Sequence, residues 1–132
     1  MPGRQLDVLV ICGSLRKGSY NAAIARTLPA LAPGGMALRF AAPFADFPIY
    51  DADIQTGSGF PAQVTAWADA IRSADGLIIV SPEYDWSIPG GLKNAIDWVS
   101  RTSRSRTSRW RCSPPPAAFS AARARNTTCG SA

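Results

Sequence analysis

The chain predicts an α/β fold, a doubly wound parallel sheet with helices on both faces. Three observations carry this reading. The runs LDVLVICG (residues 6–13) and GLIIVSP (residues 76–82) are nearly unbroken apolar stretches rich in Val and Ile, as strands buried on both faces are. Segments with helical spacing alternate with the strand-like runs. Polar loops rich in Gly, Ser or Pro stand where the strands end.

The elements follow in order. Residues 6–13 form the first strand, and the polar loop SLRKGS follows. YNAAIARTLPALA (residues 20–32) has helical spacing. ALRFAAP (residues 37–43) is a second strand. FADFPIYDADIQTGSGFPAQ (residues 44–63) is rich in Gly, Pro and Asp and reads as one long loop. VTAWADAIRSAD (residues 64–75) is a helix that sets Val64, Trp67, Ala68 and Ile71 on one face. GLIIVSP is the third strand and PEYDWS its loop. IPGGLKNAIDWVSR (residues 88–101) is the last helix, with Pro89 in the first turn, where a missing N–H costs nothing. That makes three strands, whereas a doubly wound sheet of this kind has about five. Residues 1–101 therefore read as the first part of a larger domain.

Composition narrows the chemistry. The sequence is 132 residues long, which points to one domain, and no apolar run reaches the roughly 18 residues of a membrane span. The N-terminus runs straight into a strand pattern without a leader peptide, so a cytoplasmic location is expected. The net charge of +5 is unevenly spread. Residues 1–101 hold 8 Lys/Arg and 9 Asp/Glu, while residues 102–132 hold 6 Arg and no acid. The basic character belongs to the tail, and the body carries no sign of a nucleic-acid face. There is no His, which removes the usual zinc ligand, the usual general base and a Ser-His-Asp triad. Three cysteines at unrelated spacings fit no metal site or disulfide framework, and Cys12 reads as a small buried hydrophobe.

In open α/β sheets, ligands bind beyond the carboxyl ends of the strands. Two loops lie there. GSLRKGSYN (residues 13–21) opens a helix with backbone N–H groups and the positive end of the helix dipole. The hydroxyls of Ser14 and Ser19, the charges of Arg16 and Lys17 and the amide of Asn21 make it a phosphate cradle by chemistry. It is not a Walker loop, because Ser19 stands where Lys is required. The plain alternative is a solvated loop capping a helix. SPEYDWSIPGG (residues 81–91) is stiffened by two prolines, opened by Gly90 and Gly91, and supplied with flat surfaces by Tyr84 and Trp86. Alone it reads as a rigid loop with an apolar plug. Beside a phosphate cradle it suits the ring of a mononucleotide.

GSLRKGSYN and SPEYDWSIPGGLKNAIDW resemble the two hallmark segments of the NADPH-dependent FMN reductases, a family that includes chromate, quinone and azo-dye reductases. The resemblance covers residues 6–101. It implies a flavodoxin-like fold with strand order 2-1-3-4-5. It also implies that Ser14, Arg16, Ser19 and Asn21 hold the FMN phosphate. Pro82, Glu83, Tyr84 and Asp85 would line the ribityl chain and ring, and Ser87, Gly90 and Lys93 match the family's helix start. Many members have Asn where this chain has Asp85. Lys93 and Asn94 are read as structural first and ligand-facing second. The implied cofactors are FMN and NADPH. Hydride passes from NADPH to FMN, and electrons pass on to a quinone, azo, chromate or flavin acceptor, with no protein acid or base required. The resemblance further implies a homodimer or homotetramer.

Residues 102–132 break the pattern. Family members continue with a strand, a Ser/Gly-rich loop and a helix, where this chain has an Arg/Ser/Pro/Ala tail. Such a composition is expected to be disordered. Back-translation of residues 104–130 with a one-nucleotide shift permits a strand, a Ser/Gly loop and a helix start, so the tail reads as out of frame. Two alternatives stand beside the reductase: an inactive or FMN-binding-only fragment, and a basic-tailed nucleic-acid binder. The tail lacks the repeated aromatics and Lys of a nucleic-acid arm, and no specific nucleic acid is expected.

Overall fold

The computed structural model describes residues 3–102. The elements run β1 (Leu6–Cys12), α1 (Tyr20–Leu31), β2 (Met36–Phe40), α2 (Ala52–Gly57), α3 (Ala62–Ser73), β3 (Gly76–Val80) and α4 (Gly90–Ser100). The three strands are parallel in the order β2-β1-β3. This matches the first three positions of the expected flavodoxin-like order.

The order dictates where the helices go. The chain steps from β1 to β2 on one side, then back across β1 to β3 on the other. Right-handed crossovers in opposite directions put their helices on opposite faces. Accordingly α1 lies against the sheet on one side, while α3 and α4 share a core with Leu9 and Ile11. Side chains alternate along a strand, so Val8 and Val10 serve the α1 face. All four are buried, and β1 is the doubly covered strand its sequence predicts.

The third strand departs from that expectation. β3 is only half-buried, and Ile79 is exposed. It pairs with β1 alone among the described residues, so its apolar content is not matched by cover on both faces. Residues 44–63 also differ from the single loop expected, because they contain α2 and the start of α3. Asp51 caps α2, its carboxylate accepting from Asp53 N–H at 2.8 Å, a local signal that the Gly and Pro content masked. Pro89 is the N-cap of α4 rather than a first-turn residue. Cys12 is half-buried, with Sγ donating to Ser14 O at 3.5 Å.

Two indoles hold the remaining loop in place. Trp67 Nε1 of α3 donates to Ala42 O at 2.9 Å, and Trp98 Nε1 of α4 donates to Pro48 O at 2.8 Å. Phe44 and Phe47 set their rings edge-on to Trp67, and Tyr50 does the same to Trp98. Each buried indole thus satisfies its one donor while filling the core. At the opposite end of the sheet, Arg39 on β2 bridges Asp7 of β1 and reaches Ala70 O at the end of α3. No described helix is long and apolar enough to cross a membrane. The expectation of disorder for residues 102–132 falls outside the described residues from 103 onward. Thr102 itself is buried and donates to Val99 O at 2.8 Å.

Candidate binding site at the carboxyl ends of the strands

The strand order reverses at β1, so the crevice between the ends of β1 and β3 is the topological switch point where such sheets bind ligands. The loops after Cys12 and Val80 meet there. Gly13 N–H donates to Val80 O at 2.8 Å, which extends the ladder one step past the strands. A Cβ built on Gly13 would lie 2.6 Å from Ser81 Oγ and 2.9 Å from Leu92 Cδ2. Only glycine allows the two loops to close on each other here.

Beyond Gly13 the chain presents donors. Ser19 is buried and is the N-cap of α1, its Oγ accepting from Ala22 N–H at 3.3 Å. Tyr20 and Asn21, in the first turn, donate their backbone N–H groups to no group among the described residues. The first turn of α1 carries no acidic residue. Arg16 and Lys17 are exposed and enter no ion pair among the described residues. Arg16 folds back over the loop, its Nη1 3.7 Å from where a Gly18 Cβ would stand. Ser14 and Asn21 are half-buried at the two ends of the turn. Ser14, Arg16, Ser19 and Asn21 therefore share one loop and helix start, and its free charge is positive. A dianion fits such a cradle.

The second loop is a closed hairpin. Tyr84 and Ser87 exchange both backbone hydrogen bonds at 2.9 Å. The two residues between them have positive φ, 49° at Asp85 and 65° at Trp86. Two left-handed residues in a two-residue turn are the primed hairpin geometry, normally filled by Asn-Gly or Asp-Gly. Asp tolerates this region through its short polar side chain, but an indole does not, and such positions cost about 1–3 kcal/mol each. The Glu83 carboxylate accepts from Trp86 N–H at 2.6 Å and ties the turn from outside. Ser81 Oγ donates to Pro82 O at 3.0 Å, fixing the first bend of the loop. Tyr84 and Trp86 are exposed at 55% and 76%, so their rings stand free to cover a planar group.

The start of α4 divides its roles. A Cβ at Gly90 would meet nothing within 4 Å, whereas one at Gly91 would sit 3.4 Å from Phe44 Cε2. Gly90 leaves room for a ligand, and Gly91 accommodates Phe44. Lys93 pairs with Asp97 one turn along the helix. Asn94 faces the loop after β2, accepting from Tyr50 N–H at 2.7 Å and donating to Pro48 O at 2.9 Å. Both make contacts within the chain. Ser81 and the Asn94 clamp were not picked out as parts of the site. The one signal for Ser81 was its place directly after an apolar strand. Nothing local marked Asn94 as the partner of a loop more than forty residues away.

A family model described as NADPH-dependent FMN reductase matches residues 6–126. A quinone reductase of Escherichia coli is 58% identical over 97 residues, covering 74% of this chain and 52% of that protein. An NAD(P)H-dependent FMN reductase of Pseudomonas aeruginosa is 45% identical over 96 residues, covering 73% of this chain and 51% of its own. Among solved structures, the FerB flavoenzyme NAD(P)H:(acceptor) oxidoreductase of Paracoccus denitrificans superposes with a TM-score of 0.65 at 36% identity. That likeness covers 74% of this chain and 52% of the other. The chain spans about half the length of the curated relatives it matches.

Proposed function

Because the chain belongs to the NADPH-dependent FMN reductase family, we propose that the loops after β1 and β3 hold FMN, and that the protein is an NAD(P)H-dependent quinone reductase. The observation that carries this reading is the contact of Gly13 with Ser81, which makes one crevice of a donor-rich helix start and an aromatic hairpin. Bound FMN would supply the redox chemistry, linking a nicotinamide donor to an electron acceptor.

The protein supplies position and electrostatics. Ser14, Arg16, Ser19 and Asn21 hold the phosphate against the N-terminus of α1. Arg16 and Lys17 offset its charge without an acid nearby. Pro82, Tyr84 and Asp85 form the wall along the ribityl chain and ring, with Glu83 contributing only its backbone, and Ser87 closes the hairpin. Gly90 keeps the mouth of the crevice open. No side chain is required to move a proton at a fixed atom, in keeping with a sequence without His. Quinone is the preferred acceptor class, because relatives include a 2-hydroxy-1,4-benzoquinone reductase as well as the quinone reductases. The oligomer is a homodimer or homotetramer, and the location is the cytoplasm.

The test is an FMN titration of the 132-residue chain followed by flavin fluorescence. Saturable quenching at micromolar FMN, with NADPH oxidation that depends on an added quinone, is the expected result. Quenching without turnover identifies a binding-only chain. Absence of quenching with a folded protein overturns the reading.

A further inference from the structure

We propose that Glu83 is a positioning residue, which acts by holding the Asp85–Trp86 turn in its left-handed form before the cofactor arrives. The inference rests on the FMN reading of this crevice. It assigns Glu83 a task different from lining the cofactor. Its carboxylate is already engaged by Trp86 N–H, at 2.6 Å, within its own loop.

The argument starts from the backbone. Asp85 and Trp86 both have positive φ. Open, the turn would release both residues to ordinary conformations. Three hydrogen bonds oppose that release. Two are the backbone pair between Tyr84 and Ser87. The third is the Glu83 carboxylate, and a charged acceptor makes the stronger bond. It is also the one contributed by a side chain, so sequence can remove it without touching the backbone. No other described acid or base shares this bond, and Glu83 forms no ion pair among the described residues. Its hydrogen bond to the turn is the contact that accounts for a carboxylate at this position.

The turn sets where Tyr84 and Trp86 stand. A ligand that needs the closed turn binds with an apparent affinity reduced by the fraction of molecules in which the turn is closed. Glu83 raises that fraction in the free protein. Removing it lowers FMN affinity without removing a contact to FMN.

Four versions of the full chain decide this: wild type, Glu83→Gln, Glu83→Ala, and Glu83→Ala combined with Asp85→Gly. Glu83→Ala is expected to raise the FMN Kd about tenfold, the factor for a turn closed about one-tenth of the time. Glu83→Gln keeps an acceptor oxygen and should stay within about twofold of wild type. Asp85→Gly removes the cost of positive φ and should restore most of the lost affinity in the double variant. A ligand-free readout accompanies these. The Trp86 amide should exchange with solvent more slowly in wild type and in Glu83→Gln than in Glu83→Ala, because its N–H is held only where an acceptor oxygen stands at position 83. Glu83→Ala with wild-type FMN affinity overturns the proposal. So does a Glu83→Gln as weak as Glu83→Ala, since a charge acting directly on the ligand is then the cause. If wild type binds no FMN, the FMN reading falls. The clamp is then decided by the Trp86 amide alone, and exchange as fast in wild type as in Glu83→Ala removes it.

Discussion

Gly13 and Ser81 stand so close that a single methyl group cannot be placed between them. A Cβ on Gly13 would lie 2.6 Å from Ser81 Oγ, 2.9 Å from Ser81 Cβ and 2.9 Å from Leu92 Cδ2. Leu92 is fully buried and belongs to the core beneath α4. The contact therefore joins the first candidate loop, the second candidate loop and the core at one point.

Gly13→Ala should disturb all three. Ser81 and Leu92 have to move, and overpacking of this kind costs about 1–3 kcal/mol. At about 4–8 °C per kcal/mol for a domain near this size, Tm should fall by at least several degrees. FMN affinity should fall with it, because the loops separate. Thermal unfolding and FMN titration of the same preparation check this. An unchanged Tm would mean that the loops approach less closely than the distances require.

Asn94→Ala should free the loop after β2. The side chain serves Tyr50 N–H and Pro48 O at once, and Pro48 O is also the acceptor for Trp98 Nε1. Alanine leaves the part-buried Tyr50 N–H without its acceptor, a loss of about 1 kcal/mol, the low end of the range for an unmade bond. The Trp98 bond survives, so the helix core should hold while residues 41–51 loosen. Limited proteolysis should then cut within that segment faster than in wild type, with Tm lowered by less than complete loss of the core would cause.

The sequence made the body legible where physics is local. Val8 to Ile11 read as a doubly buried strand and are one, because an unbroken β-branched run has few other homes. The face of Val64, Trp67, Ala68 and Ile71 was likewise legible from spacing, the first three being buried and Ile71 partly buried against the core. The strand after Asp75 misled, since GLIIV states what a strand can bury and not whether a neighbour is there to bury it. The helix at Ala52 was hidden by the Gly and Pro around it. In the candidate site, the donor-rich loop after β1 was readable because cap, charge and loop are consecutive. The strained turn was not. Positive φ at Asp85 has a weak signal in its residue type, and at Trp86 it has none. Asp tolerates this backbone region through its short polar side chain, so its conformation suits Asp85 whether or not it meets a ring.

Asp85→Asn should therefore leave stability nearly unchanged, while Asp85→Val should lower it. A β-branched residue at φ 49° is a severe misfit, and cost in the range of about 1–3 kcal/mol follows. The side chain is exposed, so no core contact confuses the comparison. Tm in the absence of ligand is the measurement. Equal values for the Asn and Val variants would show that the turn is not held left-handed in solution.

Ser19→Asp separates folding from phosphate binding. Asp caps helices as well as Ser does, and a negative charge at an N-terminus favours the helix dipole. The variant should keep its Tm within the change expected of about 1 kcal/mol, whereas Ser19→Ala loses the cap and about that much stability. A carboxylate at position 19, however, stands where an FMN phosphate would lie, against the free N–H groups of Tyr20 and Asn21. Two like charges about 4 Å apart repel by up to about 4 kcal/mol, which weakens FMN binding by up to several hundredfold. Riboflavin carries the same ring without the phosphate, so its affinity should change little. The ratio of FMN to riboflavin affinity is the quantity to measure in wild type and in Ser19→Asp. A ratio that collapses while Tm holds assigns the phosphate to the start of α1. Parallel loss of both ligands would place the phosphate elsewhere and leave Ser19 as a helix cap alone.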